Sequence, residues 1–273
     1  MKRIPRHAAA IFSCAACAML GLGARPACPA DAPGPPKLTI AYDDNRHGGR
    51  VKNSAGFSCA VQGSEKTVLF DTGEDGRLLL ANLRSLGISA KEIDAVVISH
   101  SHRDHAGGLR YLLSQNRRIL AYLPATHSGS LMKEVEQQGG RAIGVGRPLQ
   151  ICAEIFSTGE LGTSPPEQSL VIRTPGGLVV VTGCAHTGIL RVIQMAKRQF
   201  GGDILLVLGG FHLADSNKNE IEQVIAGMKS LAVRHVAPCH CTGERARELF
   251  RKAYGAKFIE AGAGRVIDIE GLR

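Results

Sequence analysis

Four side chains capable of binding metal lie within six residues, and this cluster constrains the fold more than any other feature of the chain. His100, His102, Asp104 and His105 follow the β-branched run of residues 93–99, which predicts a buried strand. Alternate side chains of an extended segment share a face, so His100 and His102 could bind one ion while Asp104 and His105 turn toward a second position. A solvated polar loop or a hydrogen-bonded core network is the alternative, but neither requires so many imidazoles.

Further apolar runs also end in polar side chains with metal chemistry. Residues 68–73 predict a strand that ends at Asp71, although the same residues would suit an ordinary turn. Three later runs each deliver one histidine at their end, and these are His186, His212 and His240. A single histidine of this kind is more often a core residue. Three repeats, added to the first cluster, favour one shared site.

These motifs together resemble the metallo-β-lactamase superfamily. The segments are His-x-His-x-Asp-His at 100–105, Asp-Thr-Gly at 71–73, Gly-Cys-Ala-His at 183–186, Gly-Gly-Phe-His at 209–212 and Pro-Cys-His-Cys-Thr-Gly at 238–243. Their order is similar to the branch of 7,8-dihydropterin-6-methyl-4-(β-D-ribofuranosyl)aminobenzene 5′-phosphate synthase-like proteins, over residues 38–269. The resemblance implies an α/β fold, a four-layer αβ/βα sandwich, with one or two divalent metal ions at its edge.

The resemblance also implies roles for individual residues. The expected metal ligands are His100, His102, Asp104, His105, His186 and His240. Zinc is the default ion for an imidazole-rich site, and manganese, iron, nickel or cobalt could bind the same donors. Asp71 would be a carboxylate that orients the metal-binding histidines. His212 could be a ligand, a substrate contact or a partner of a ligand.

The cysteines near these motifs are ambiguous. Cys184 occupies the place where many superfamily members have a bridging aspartate, and a thiolate there would bind zinc, although His186 is the preferred ligand. Cys239 and Cys241 flank His240 and would point away from it on an extended segment, which predicts packing or supporting roles. Residues 52–58 lack the Glu-His-Gly pattern of the relatives, so the substrate does not follow from the resemblance.

Hydrophobic periodicity predicts alternating strands and helices in one domain, residues 31–273. Strands are expected near residues 39–42, 57–61, 67–70, 95–99, 119–123, 169–174, 178–182, 205–208 and 235–238. Helices are expected at residues 77–86, 109–115, 128–138, 188–200, 218–231 and 244–254. The Gly- and Pro-rich residues 139–148 and 157–167 predict loops.

The first 30 residues predict a signal peptide. A basic start at residues 1–6 precedes an apolar, Ala-rich run at residues 8–24 and small residues before position 31. Cleavage near Ala30 would give a periplasmic or secreted protein without a stable membrane anchor. Lipidation at Cys28 is the weaker alternative, because the residues before it form a poor lipobox.

The net charge limits the classes of binding partner, and the number of cysteines bears on disulfide bonding. The formal net charge of +9 would fall to about +5 after cleavage, because the leader contains four basic residues and no acidic ones. This mild excess argues against nucleic acid and favours a small-molecule substrate, with an anionic one attracted by the positive charge. Five cysteines would remain after cleavage, an odd number, so a disulfide-stapled scaffold is not expected. Nothing in the sequence predicts an oligomeric state.

The chemistry that follows is metal-dependent hydrolysis by an exported enzyme. A divalent cation would activate water against an ester, phosphoester or amide-type substrate, and Asp104 would act as the catalytic carboxylate. A synthase-like transferase is the first alternative. A metal- or ligand-binding protein without turnover is the second.

Overall fold

The structure is a computed structural model that describes residues 36–126 and 128–272. The predicted signal peptide lies outside the described residues, so cleavage and the domain start at residue 31 stay predictions. None of the helices within the described ranges combines the length and the apolar character needed to cross a bilayer.

Apolar side chains on both faces of the central strands explain why the two sheets are buried. In β10 (Gly177–Thr182), Val179 and Val181 face the opposite sheet, while Leu178 and Val180 face helices. Successive side chains of a strand point to opposite faces, and here both faces are apolar. Such a strand must be covered on both sides.

Sheet 1 has the strand order β13-β1-β2-β3-β4-β5-β6 and sheet 2 the order β12-β11-β10-β9-β8-β7. Sheet 1 comprises β1 (Lys37–Tyr42), β2 (Ser58–Gln62), β3 (Val68–Phe70), β4 (Ala95–Val97), β5 (Leu120–Pro124), β6 (Arg141–Val145) and β13 (Val266–Asp268). Sheet 2 comprises β7 (Leu149–Cys152), β8 (Ile155–Ser157), β9 (Leu170–Thr174), β10, β11 (Ile204–Gly210) and β12 (His235–Cys239). Strands β3 to β6 pair in parallel, as do β10 to β12.

Helices cover the outer face of each sheet. They are α1 (Gly76–Ser85), α2 (Arg103–Ala106), α3 (Leu109–Gln115), α4 (Gly129–Gln137), α5 (Ile189–Phe200), α6 (Lys218–Ser230) and α7 (Glu244–Tyr254). Apolar residues of α1, α3 and α4 pack on sheet 1, those of α5, α6 and α7 pack on sheet 2, and a third core fills the space between the sheets. The layers are helices, sheet, sheet and helices, so the predicted four-layer αβ/βα sandwich is confirmed.

Two local predictions are wrong. Residues 139–148 contain strand β6 at the edge of sheet 1, where half-exposed side chains hide the strand among turn-forming residues. The loop expected after the strand of residues 93–99 contains helix α2, so Asp104 and His105 lie in the first turn of a helix, with His102 immediately before it. Residues 157–167 form mostly irregular backbone, as predicted, with only Ser157 in a strand.

Candidate metal centre

The predicted site residues meet because parallel strands of each sheet end at a common edge. Asp71 follows β3 and His100 follows β4 in sheet 1, while His186, His212 and His240 follow β10, β11 and β12. Side chains delivered by the carboxyl ends of adjacent strands are close in space wherever the connecting backbone turns back.

The backbone at this edge adopts conformations that non-glycine residues rarely take. Asp71, Ala185, His212 and His240 have φ angles of 58°, 59°, 54° and 49°. Such left-handed residues cost free energy and cluster at functional sites. Gly183 has a related role, because a Cβ there would overlap the Ser99 hydroxyl. Strand ends turn sharply here and bring the side chains of both sheets together.

The first donor group surrounds His100. The ring centroids of His100 and His102 lie 4.5 Å apart, those of His100 and His186 lie 4.7 Å apart, and those of His102 and His186 lie 5.0 Å apart. Nε2 of His100 is buried and has no hydrogen-bond partner. Burial and the nearby His105 lower the pKa of His100 to about 2, so its imidazole is neutral. A buried nitrogen with a free lone pair fits a metal ion, which would supply the missing partner.

The second donor group lies between His105 and His240. Their Nε2 atoms are 3.1 Å apart, and Oδ2 of Asp104 is 3.4 Å from each. Burial opposes protonation of both rings, but nearby carboxylates outweigh it. Asp71 and Asp104 raise the pKa of His105 to about 9. Asp104 and Asp44 raise the pKa of His240 to about 11. A negative environment that holds protons on these rings would also hold a divalent cation, with release of those protons.

Carboxylates support the metal-facing histidines from behind. Asp71 is fully buried, accepts hydrogen bonds from the backbone N–H and hydroxyl of Ser99, and lies 2.7 Å from Nδ1 of His105. Asp44 lies 3.2 Å from Nδ1 of His240. A carboxylate on Nδ1 directs Nε2 toward the metal and fixes the ring. The orienting role predicted for Asp71 fits this position, and Asp44 was missed.

Glu167 is a further residue that sequence reasoning missed. It is buried, and its two oxygens accept the backbone N–H groups of Cys184, Ala185 and His186 at 2.8 to 2.9 Å. Its Oε2 also lies 3.0 Å from Nδ1 of His186. Burial opposes its ionisation, but the hydrogen bond from His186, together with His100 and the backbone donors, lowers the pKa of Glu167 to about 2. Glu167 therefore fixes both the turn after β10 and the ring of His186.

Cys184 lies at the centre of the site. Its Sγ is 3.2 Å from Nε2 of His105 and 3.3 Å from Nε2 of His240, and it also groups with donor atoms of His100 and His186. Cys184 thus contributes to both histidine groups, a position suited to a bridging ligand. The sequence favoured His186 over Cys184 as a ligand, but Cys184 lies closer to the centre of the site than that preference predicted.

The other two cysteines differ from each other. Cys239 is fully buried in the core between the sheets, as predicted. Cys241 instead lies beside Cys184 and His212, so its predicted orientation away from the site is wrong. The reason is that the extended backbone ends at Cys239 and a 3₁₀ turn, His240–Thr242, follows. His212 is exposed, and its ring centroid lies 4.6 Å from that of His186.

Comparisons with known proteins find relatives over most of the chain. The chain is 28% identical to the 7,8-dihydropterin-6-methyl-4-(β-D-ribofuranosyl)-aminobenzene-5′-phosphate synthase of Methanocaldococcus jannaschii, over 84% of this chain and 95% of the relative. The crystal structure of Tm1679, a metal-dependent hydrolase of the β-lactamase superfamily, matches with a TM-score of 0.73 and 31% identity, covering 85% of this chain and 98% of Tm1679.

A more distant structure shares the fold alone. The metallo-β-lactamase fold protein YhfI from Bacillus subtilis matches with a TM-score of 0.65 at 18% identity, covering 85% of this chain and 99% of YhfI.

Residues 53–221 match the sequence profile of the Metallo-beta-lactamase superfamily. The chain therefore belongs to the metallo-β-lactamase superfamily, whose members bind divalent metals and are mostly enzymes.

Proposed function

We propose that this protein is a metal-dependent hydrolase acting on an ester, phosphoester or amide bond of a small molecule. The observation that carries the proposal is the pair of donor groups that share Cys184. His100, His102 and His186 would hold one ion, and Asp104, His105 and His240 would hold a second. Zinc is the preferred candidate for so many nitrogen and sulfur donors.

The chain's own residues would divide the chemistry between them. A bound divalent cation lowers the pKa of water and polarises a carbonyl or phosphoryl oxygen. The side chain of Asp104 is one-third exposed, so it can contact an incoming water molecule and orient it while still facing His105 and His240. Asp71, Asp44 and Glu167 would keep the histidine rings aligned through the reaction.

An anionic substrate is part of the same proposal. A cavity of about 400 Å³ is lined by Arg191 and Arg198 of α5 and by Thr187, the residue after His186. Glu160 also lines this cavity, and the two guanidinium groups outnumber its single carboxylate, so the cavity would attract and orient a negatively charged group such as a phosphate or carboxylate.

Metal content tests the site directly. Protein purified without added metal should contain one to two divalent transition ions per chain by elemental analysis, and His100→Ala and His240→Ala should each contain less. His235→Ala is the matched control, because His235 also lies in β12 but its Nε2 contacts the Leu272 carbonyl. Unchanged metal content in both site variants would refute the assignment of these ligands.

Turnover then separates the candidate functions. The metal-loaded protein would be assayed on a panel of phosphodiesters, carboxylic esters, thioesters, lactones and β-lactams. Hydrolysis of one class supports the proposal and identifies the bond. Bound metal without turnover of any kind would instead favour a metal- or ligand-binding protein.

A synthase reaction is the second candidate. The specific observation in its favour is the 28% identity to the Methanocaldococcus jannaschii synthase over nearly the full length of that protein. The test is incubation with a 7,8-dihydropterin that carries a leaving group on its 6-methyl carbon and with a 4-(β-D-ribofuranosyl)aminobenzene 5′-phosphate, whose amine would displace that group and lose a proton. Mass spectrometry would then detect the joined product that gives the relative its name. Formation of that product, with no hydrolysis on the panel, would replace the hydrolase proposal.

We also propose export from the cytoplasm, on the basis of the basic and apolar pattern of residues 1–30. N-terminal sequencing of protein from fractionated cells should begin at Asp31 or within a few residues of it. An intact Met1 in the cytosolic fraction would refute export.

A further inference from the structure

We propose that Cys184, His212 and Cys241 form an additional binding site for a thiophilic divalent ion, next to the two histidine groups. One donor atom from each of the three residues lies within 4.8 Å of the others. Two sulfur ligands and one imidazole are a donor set that binds zinc and leaves a fourth position open. The site goes beyond the proposed hydrolase, which does not require Cys241 or His212.

Three consecutive parallel strands build this site. Cys184 follows β10, His212 follows β11 and Cys241 follows β12, so the ends of neighbouring strands present the three donors side by side. The φ angle of 54° at His212 marks the sharp turn after Phe211 that carries its ring into this group. The position of each donor is thus fixed by the sheet and does not depend on a long loop.

Gly210 provides the room for the second sulfur. A Cβ at position 210 would overlap the Gly183 carbonyl oxygen and would lie 2.6 Å from Sγ of Cys241 and 3.2 Å from Cα of Cys184. A side chain there would displace both the Gly183 backbone and the Cys241 sulfur, because real Cβ atoms do not approach their neighbours so closely. Gly210 is therefore a residue on which the close approach of the two cysteines depends.

The group is accessible from one side. His212 is exposed, and a cavity of about 380 Å³ is lined by His212, Cys241, Asp215 and Glu220. An ion could reach the donors through this cavity, and the two carboxylates would attract it. Cys184 belongs to all three donor groups, whereas Cys241 and His212 belong to this group alone. Variants at Cys241 and His212 can therefore test it without removing a ligand of the histidine groups.

Cadmium is a suitable probe, because thiolate ligands select soft ions and give charge-transfer absorption in the ultraviolet. The full chain, isolated with its own metal, would be titrated with cadmium, with absorption and elemental analysis as readouts. Cys241→Ser should weaken cadmium binding by more than about tenfold and reduce the sulfur absorption, since loss of even a supporting residue costs that much. His212→Asn should weaken binding but keep the absorption per bound ion.

Cys152→Ser is the matched control, because Cys152 is also a buried free thiol but lies in β7, outside the donor groups. It should bind cadmium as the wild type does. The proposal is overturned if Cys241→Ser and His212→Asn bind cadmium with wild-type affinity and absorption. It is also overturned if only Cys184→Ser removes the absorption, because the sulfur would then serve the histidine groups alone. His212→Asn changes an exposed side chain, so the test does not depend on the folding of a cysteine variant.

Discussion

Glu167 should be essential for both stability and metal affinity, although it is not expected to bind metal. One of its oxygens accepts the N–H groups of Cys184 and Ala185, and the other accepts from the backbone and ring of His186. Glu167→Gln keeps the volume but replaces one acceptor oxygen with an amide NH₂. Two of the four donors then face another donor in a buried site.

The magnitude follows from the number of donors affected. A buried donor left without an acceptor costs about 1–3 kcal/mol, so two such donors give about 2–6 kcal/mol in the free energy of unfolding. The lower half of that range is expected, because the two backbone donors belong to one turn and can relax together. Misalignment of His186 should also lower metal affinity by about 10- to 100-fold.

Chemical denaturation of the metal-free protein measures the first effect, and competition with a chelator measures the second. Metal must be removed before denaturation, since an ion that binds only the folded state would add its own stabilisation. Glu160→Gln is the matched control, because it replaces a carboxylate with an amide in the same segment. The Glu160 oxygen accepts hydrogen bonds from Thr126, near the surface. The reasoning is refuted if both variants unfold within about 0.5 kcal/mol of each other and bind metal equally well.

Three further predictions concern other parts of the site and the surface. Gly183→Ala should destabilise the protein by about 1–3 kcal/mol in denaturant melts, because the added Cβ overlaps the Ser99 hydroxyl. Asp104→Asn should slow hydrolysis by about 100- to 1000-fold at equal metal occupancy, through loss of the carboxylate beside the reacting water. Arg251 lowers the pKa of Glu260 below its usual 4.5, so the stabilisation lost in Glu260→Gln should be largest above that pH and disappear as the pH falls through the lowered pKa.

Each of the three predictions has an outcome that would contradict it. Gly129→Ala is the control for Gly183, since nothing lies within 4 Å of the added atom, and equal stability of the two variants would contradict the overlap argument. Equal rates for wild type and Asp104→Asn would remove Asp104 from the mechanism. A melting-temperature difference between wild type and Glu260→Gln that stays constant across the acid range would exclude the ion pair as its cause.

The histidines could be predicted from the sequence because their signal is local. A histidine at the end of a buried strand needs only a short stretch of sequence to be recognised, and repetition of that pattern pointed to one site. Asp44 and Glu167 could not be found this way. Asp44 pairs with a residue 196 positions away, and Glu167 lies in a Pro-rich loop where a carboxylate is the expected solvated residue. Their contacts with the site form only in the folded chain.

The geometry of the ligands also required the structure. A loop was expected at Asp104 and an extended backbone beyond His240, but helix α2 and a 3₁₀ turn begin at these points. Sequence periodicity does not show such short helical turns, because three or four residues are too few to establish a period. The consequence was largest for Cys241, which the turn brings into the site.

The arrangement of supports explains how a centre made of both sheets can stay assembled before metal binds. His105 comes from the sheet 1 side and His240 from the sheet 2 side, and their Nε2 atoms face each other across the gap. Asp71 holds the first ring, Asp44 holds the second, and Asp104 contacts both. With protons on the rings, the two imidazolium charges offset two of the three carboxylate charges, which lowers the cost of holding these groups together in the metal-free centre. A divalent ion can then replace the protons without any rearrangement of the carboxylates, because it supplies the same positive charge at the same place.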